Sequence, residues 1–206
     1  MSSLRRTIPA RIQERLARTY LIDGAPAVDN FIQPTDGPAR EALLIRDADG
    51  ELEVALHLPR EAIAGGRPPS FDEVCQIVEG VSHFVYVAER ARRELPATQL
   101  ELELQAEVDK YVLFVHGALD AGAAGCFEPG RASRIRSRLF EKVRFLHPAG
   151  TERGDRYRIA NDLAARFVGR IEAELARRGR YAEMLARLRR FYAVGQAEKI
   201  ALALAA

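Results

Sequence analysis

Residues 70–116 read SFDEVCQIVEGVSHFVYVAERARRELPATQLELELQAEVDKYVLFVH. This stretch predicts two helices folded back on each other, and its reading decides the fold class. Pro68 and Pro69 cannot carry a helix in from upstream. Ser70 then serves as N-cap, and Glu73 three residues later completes a capping box. Val74, Ile77, Val78, Val81, Val85 and Ala88 recur at steps of three and four, which is one stripe of a helix. Glu89 and Arg93 stand four apart with the acid first, the favourable order on an exposed turn. Pro96 ends the helix near Glu94, because the residue before proline is pushed out of the helical region.

A second helix starts around Thr98, with Leu100, Leu104, Val108, Tyr111, Val112 and Val115 as its apolar stripe. A rival reading competes at residues 98–104, where Leu and Glu alternate from Leu100 to Leu104 as in a half-buried strand. Helix is preferred, because helical spacing continues from Gln105 to Phe114 and Leu, Glu, Gln and Ala are good helix formers. Gly117 and Gly122-Ala-Ala-Gly125 read as a helix end and a loop. Two long helices joined by a short link are expected to pack antiparallel.

Upstream, Ile8, Ile12, Leu16 and Tyr20 step by four, predicting an amphipathic helix over Ile8–Tyr20. Leu21 to Gly37 is rich in turn formers and reads as a loop or a short irregular strand. Ala42 to Arg46 and Glu51 to Leu58 flank Asp47-Ala48-Asp49-Gly50, a β-hairpin signal. Leu52, Val54, Leu56 and Leu58 point one way and Glu51, Glu53 and His57 the other, so the hairpin must lay its leucine face on something. A lone hairpin is marginal in water, so it is expected to pack on the central helices or to join another strand.

Downstream, Arg131 to Leu146 predicts a basic helix with Ile135, Leu139, Val143 and Leu146 as its apolar side. Asp155 to Arg178 predicts a long helix with Ile159, Leu163, Phe167, Ile171 and Leu175 in line, broken by Gly179. Tyr181, Leu185, Leu188 and Tyr192 step four, three, four, a helix–helix packing seam. Glu198 to Ala206 reads as a weakly helical apolar tail. The fold class is therefore mainly α (α+β): a helical bundle with an N-terminal hairpin packed on a central antiparallel helix pair. Three segments are expected within one compact domain: 1–69, 70–130 and 131–206.

Charge separates those segments. Residues 1–69 carry net −1, residues 70–130 net −7, and residues 131–206 net +10, with Lys110, Lys142 and Lys199 the only lysines. The cysteines, Cys75 and Cys126, have no ligand spacing, and Cys75 reads as a buried free thiol. The first residues lack the apolar run of a secretory leader and no segment has the apolar length of a membrane span, so a cytoplasmic protein with no membrane partner is expected.

Two constellations could carry chemistry. Glu79 and His83 lie one turn apart on the first central helix, and Glu103 and Glu107 one turn apart on the second. Such groups could build a carboxylate-rich metal site, although the Glu-x-x-His and His-Glu-x-x-His spacings are absent and a wheel places Glu79 and His83 on a solvated face. The second is the arginine-rich C-terminal third. Arg134, Arg138, Arg187 and Arg190 are candidate phosphate contacts, set against pairing of those arginines with the acidic 70–130 segment. Phe191 and Tyr192 read as core rather than as base-stacking groups. His116 ends the second helix, where a protonated imidazole suits the helix dipole. No local catalytic or cofactor motif is present, so no cofactor is assigned and the enzyme question leans to no. The leading reading is a non-enzymatic interaction or regulatory protein that self-associates through helical faces. A nucleic-acid-binding protein and a metal-dependent enzyme are the alternatives.

Overall fold

The computed structural model describes residues 6–37, 40–48, 51–117 and 127–205. The fold is mainly α, with eight α-helices among the described residues and one small three-stranded sheet. The chain divides into two compact units, Met1–Ala17 with Ile22–Leu95, and Arg18–Leu21 with Pro96–Ala206. The boundary at Leu95–Pro96 falls between the two helices that the sequence pairs, inside its acidic segment.

α1 (Ile8–Tyr20) has its predicted span and begins in the first unit, where Ile12 and Leu16 are buried. Gln13 ties it to the following loop: its Nε2 donates to the Pro26 carbonyl at 2.7 Å and its Oε1 accepts from the Val28 amide at 2.9 Å. The segment read as loop or irregular strand contains β1 (Ile32–Thr35). β2 (Ala42–Ala48) and β3 (Glu51–Pro59) pair antiparallel, from Ala42 opposite His57 to Ala48 opposite Glu51. The turn residues Asp49 and Gly50 lie outside the described residues. β1 pairs in parallel on the far side of β3, so the hairpin belongs to a mixed sheet of order β1-β3-β2. A third strand gives the hairpin the partner that an isolated pair lacks.

Leu56 and Leu58 are fully buried and Glu53 is exposed, as alternation requires. After the single turn α2 (Arg60–Ile63), α3 (Phe71–Arg92) packs on β3 and β2. Contact is closest at Gly80, where a Cβ would meet Leu56 Cδ1 at 2.9 Å and Leu58 Cδ2 at 3.1 Å. Glycine in mid-helix forgoes helix propensity, and here the absent side chain makes room for the leucine face of the sheet.

The capping box of α3 is formed: the Ser70 amide donates to Glu73 Oε2 at 2.7 Å, and the Glu73 amide donates to Ser70 Oγ at 3.3 Å. At the other end the helix stops at Arg92. Glu94 takes φ 54°, and the Leu95 amide reaches the Arg90 carbonyl at 2.9 Å. This left-handed closure, together with Pro96, ends the helix. One expectation is corrected. α3 is buried far beyond its apolar stripe, with Gln76, Glu79, Ser82, Tyr86, Glu89 and Arg90 also buried. Glu89 still pairs with Arg93 at 2.6 Å, but its carboxylate is buried rather than on an exposed turn.

The second unit holds α4 (Gln99–His116), α5 (Pro129–Arg136), α6 (Glu152–Glu174), α7 (Tyr181–Ala193) and α8 (Gln196–Leu204), with α6 packed on α4 and α8. Residues 98–104 enter a helix, and Thr98 with Glu101 forms a second capping box. The core gathers Leu104, Val108 and Tyr111, then Leu163, Phe167 and Ile171, then Met184, Leu188, Phe191 and Tyr192. Phe167 and Phe191 stack with ring centroids 4.0 Å apart.

Three C-terminal expectations are corrected. The basic helix does not reach Leu146: α5 passes into a π-turn at Ser137–Glu141 and stops. That wide turn buries Leu139, whose carbonyl accepts from Asn161 Nδ2 at 3.0 Å, while Val143 and Leu146 are 37% and 67% exposed. The long helix begins at Glu152, capped by Thr151, and Ile159 at the head of its stripe is 48% exposed. The buried seam of α7 is Met184, Leu188, Phe191 and Tyr192, while Tyr181 and Leu185 are only half-buried. Gly179 breaks the chain as predicted, with φ 68° after a 3-10 turn at Ala176–Arg178.

Candidate functional site

α3 carries the pair with metal-binding chemistry. Glu79 and His83 project from successive turns of one helix, and a carboxylate oxygen and a ring nitrogen lie within 4.8 Å of each other. Two ligands of one first-row cation, each bonded at about 2.0–2.2 Å, stand roughly 3–4 Å apart. The separation of the pair is compatible with that spacing. Glu79 is only 6% exposed and His83 is half-buried, so the solvated face expected for them is overturned. Gln76 lies on the same face, one turn before Glu79. Its Nε2 donates to Asp72 Oδ2 at 2.8 Å, and its buried Oε1 has no hydrogen-bond partner among the described residues.

Glu103 and Glu107 belong to the second unit, both on α4. Glu103 is buried with Arg156 Nε 3.9 Å from its Oε1, and Glu107 accepts from Lys110 Nζ at 2.9 Å. Each therefore faces a cation of its own unit.

The candidate nucleic-acid contacts are differently placed. Arg134 is exposed on α5, 3.5 Å from Glu128, and Arg138 is exposed on the π-turn. Arg187 pairs with Glu174 at 2.5 Å, and Arg190 with Glu198 at 2.9 Å. The Arg187 guanidinium holds the Glu174 carboxyl below the usual carboxylate range. Other arginines of this unit close helix ends and loops. Arg131 donates to the Phe114 carbonyl, Arg158 to the His147 carbonyl, and Arg189 to the Thr19 carbonyl. The basic third thus spends much of its charge on nearby carboxylates and carbonyls.

Two buried polar groupings in the second unit escaped sequence reading. In one, Lys199 of α8 is fully buried and donates to Gln105 Oε1 and to the Phe191 carbonyl, both at 2.6 Å. Gln105 Nε2 donates to Asp109 Oδ1 at 2.8 Å, and Tyr20 donates its hydroxyl to the same oxygen at 2.5 Å. Burial and then the Asp109 charge push the Tyr20 hydroxyl well above its ordinary pKa, so it stays protonated. The signal for this group was a lone lysine directly before the apolar run at residues 200–206.

In the other, Tyr111 donates to Glu172 at 3.0 Å, and Glu172 also pairs with Arg177. His116 meets the edge of Tyr111 and stacks on Phe127 with centroids 5.9 Å apart. Burial lowers its pKa to about 4 against a smaller opposing pull from Glu172. His116 is therefore neutral at pH 7, and the charged helix-end role expected for it is corrected.

Cys75 is buried and forms no disulfide among the described residues, and no helix among them is long and apolar enough to cross a membrane. No family model, no curated protein and no solved structure matches this chain.

Proposed function

We propose that this chain is a divalent-metal-binding protein whose ion is held in part by Glu79 and His83. The observation that carries the reading is the placement of a buried carboxylate and a half-buried imidazole one turn apart on one helix, within 4.8 Å. Carboxylate oxygen with imidazole nitrogen suits Zn²⁺, Mn²⁺ or Fe²⁺. Two protein ligands leave coordination positions open for further groups and water, the arrangement through which a bound cation activates water or polarises a substrate. A metal-dependent enzyme, rather than a purely structural site, is the activity class this favours. The compartment we infer is a reducing cytoplasm, where a buried cysteine with no disulfide among the described residues, such as Cys75, is usual.

The test is metal analysis of protein purified without chelator, followed by titration of chelator-treated protein with Zn²⁺ and Mn²⁺. Stoichiometric uptake and a raised melting temperature are expected, both lost in Glu79→Gln and His83→Gln. Absence of uptake by the wild-type protein refutes the reading.

A second reading, self-association, has its own observation. β2 is an edge strand among the described residues and leaves Leu44 and Ile45 at 53% and 45% exposure. Exposed apolar edges are templates for pairing with another chain. Light scattering at increasing concentration tests it, and a strict monomer rules it out.

A further inference from the structure

We infer that Gln76 accepts a hydrogen bond from a water molecule bound to the cation of the Glu79–His83 site. The inference rests on the metal reading and names a positioning residue for it. Gln76 is 7% exposed. Its amide orientation is fixed by chemistry: Asp72 offers only acceptors, so the nitrogen faces Asp72 and the oxygen is turned away from it. That oxygen is buried with no hydrogen-bond partner among the described residues. Buried acceptors are nearly always satisfied, so an orphan oxygen calls for a donor.

Helix geometry says which donor fits. Glu79 follows Gln76 by three residues, about 4.5 Å along the axis and about 60° around it. His83 follows by seven, about 10.5 Å along the axis and within about 20°. The three therefore share one face with Glu79 in the middle. Side chains on a helix lean toward its N-terminus, so His83 reaches back over Glu79 while Gln76 leans toward Asp72. An ion between Glu79 and His83 sits toward the C-terminal side of Glu79, while the Gln76 amide is held toward Asp72, so a bridging water fits better than a direct bond to Gln76. A water on that ion spans the gap, bonded to the metal on one side and donating to Gln76 Oε1 on the other. Holding that water by an acceptor orients it and favours loss of its other proton.

The experiment uses the full chain, stripped with chelator and titrated with Zn²⁺ and with Co²⁺, whose absorption reports ionisation of bound water. Gln76→Leu is expected to weaken both ions about tenfold or more and to raise the pH midpoint of the Co²⁺ spectrum. Gln76→Met with the same readouts stands in if the leucine variant does not fold. Wild-type affinity and an unmoved midpoint in Gln76→Leu or Gln76→Met, with binding still lost in Glu79→Gln, overturn this inference alone. Failure of the wild-type protein to take up either ion overturns the metal reading and this inference with it.

Discussion

Replacing Lys199 with methionine tests whether a buried ammonium organises the second unit. The side chain is fully buried and donates two hydrogen bonds of 2.6 Å, to Gln105 Oε1 and to the Phe191 carbonyl. Its ammonium also lies 4.4 Å from the centre of the Phe191 ring. Methionine fills a similar volume but supplies no donor. Each buried acceptor left unsatisfied costs roughly 1–3 kcal/mol. The Gln105 amide stands with its oxygen on Lys199 and its nitrogen on Asp109, so removing the ammonium also withdraws support from a buried carboxylate. Against this, the desolvation of the ammonium is relieved. Breaking one side of a buried charge arrangement costs about 3–5 kcal/mol on balance, which is the loss expected for Lys199→Met. Urea unfolding followed by circular dichroism measures it as a lower midpoint at unchanged slope. The companion variant Asp109→Asn makes a double-mutant cycle, and a coupling of at least about 1 kcal/mol is expected for residues in one network. A Lys199→Met protein as stable as wild type, or additive losses in the cycle, would refute the reasoning.

Three further outcomes are expected. A Cβ on Gly154 would overlap the Pro148 carbonyl oxygen, which is backbone and cannot swing aside, so Gly154→Ala should cost at least about 1–3 kcal/mol and lower the melting temperature. Glu94→Gly should act in the opposite direction, because Glu94 holds φ 54°; a gain of about 0.5–1 kcal/mol in urea midpoints is expected, and a loss would count against the strain argument. The third concerns acid. The folded-state pKa of His116 is lowered to about 4 from 6.5, so its contribution is complete above pH 6.5 and is lost as pH falls toward 4. The loss amounts to about 3 kcal/mol, and His116→Phe should flatten the stability profile in that window.

Local pattern made most of the helices legible. The span Ile8–Tyr20, the Ser70–Glu73 capping box, the break at Gly179 and the alternation of β3 all depend on residues within a few positions of one another. Backbone propensity and capping act over that range, so sequence alone determines them. It was less able to end elements. The π-turn after α5 carries a contact between Leu139 and Asn161 across 22 residues, and the third strand forms where β1 pairs with β3, past β2 in the chain.

The candidate site was legible as residue types but not as an environment. Glu79 and His83 stood out by spacing, yet a helical wheel assigns one buried face and α3 has more than one. Gln76 carried no signal at all, because an orphan acceptor is defined by what surrounds it. The same holds for charge. A net of +10 in the last 76 residues suggested an anionic partner, but which arginine meets Glu174, Glu198 or a carbonyl is set by helices brought together in space. Sequence by itself determined where helices form and which side chains carry chemistry. Tertiary structure decided which of those side chains left water, because burial depends on contacts between residues far apart in the chain.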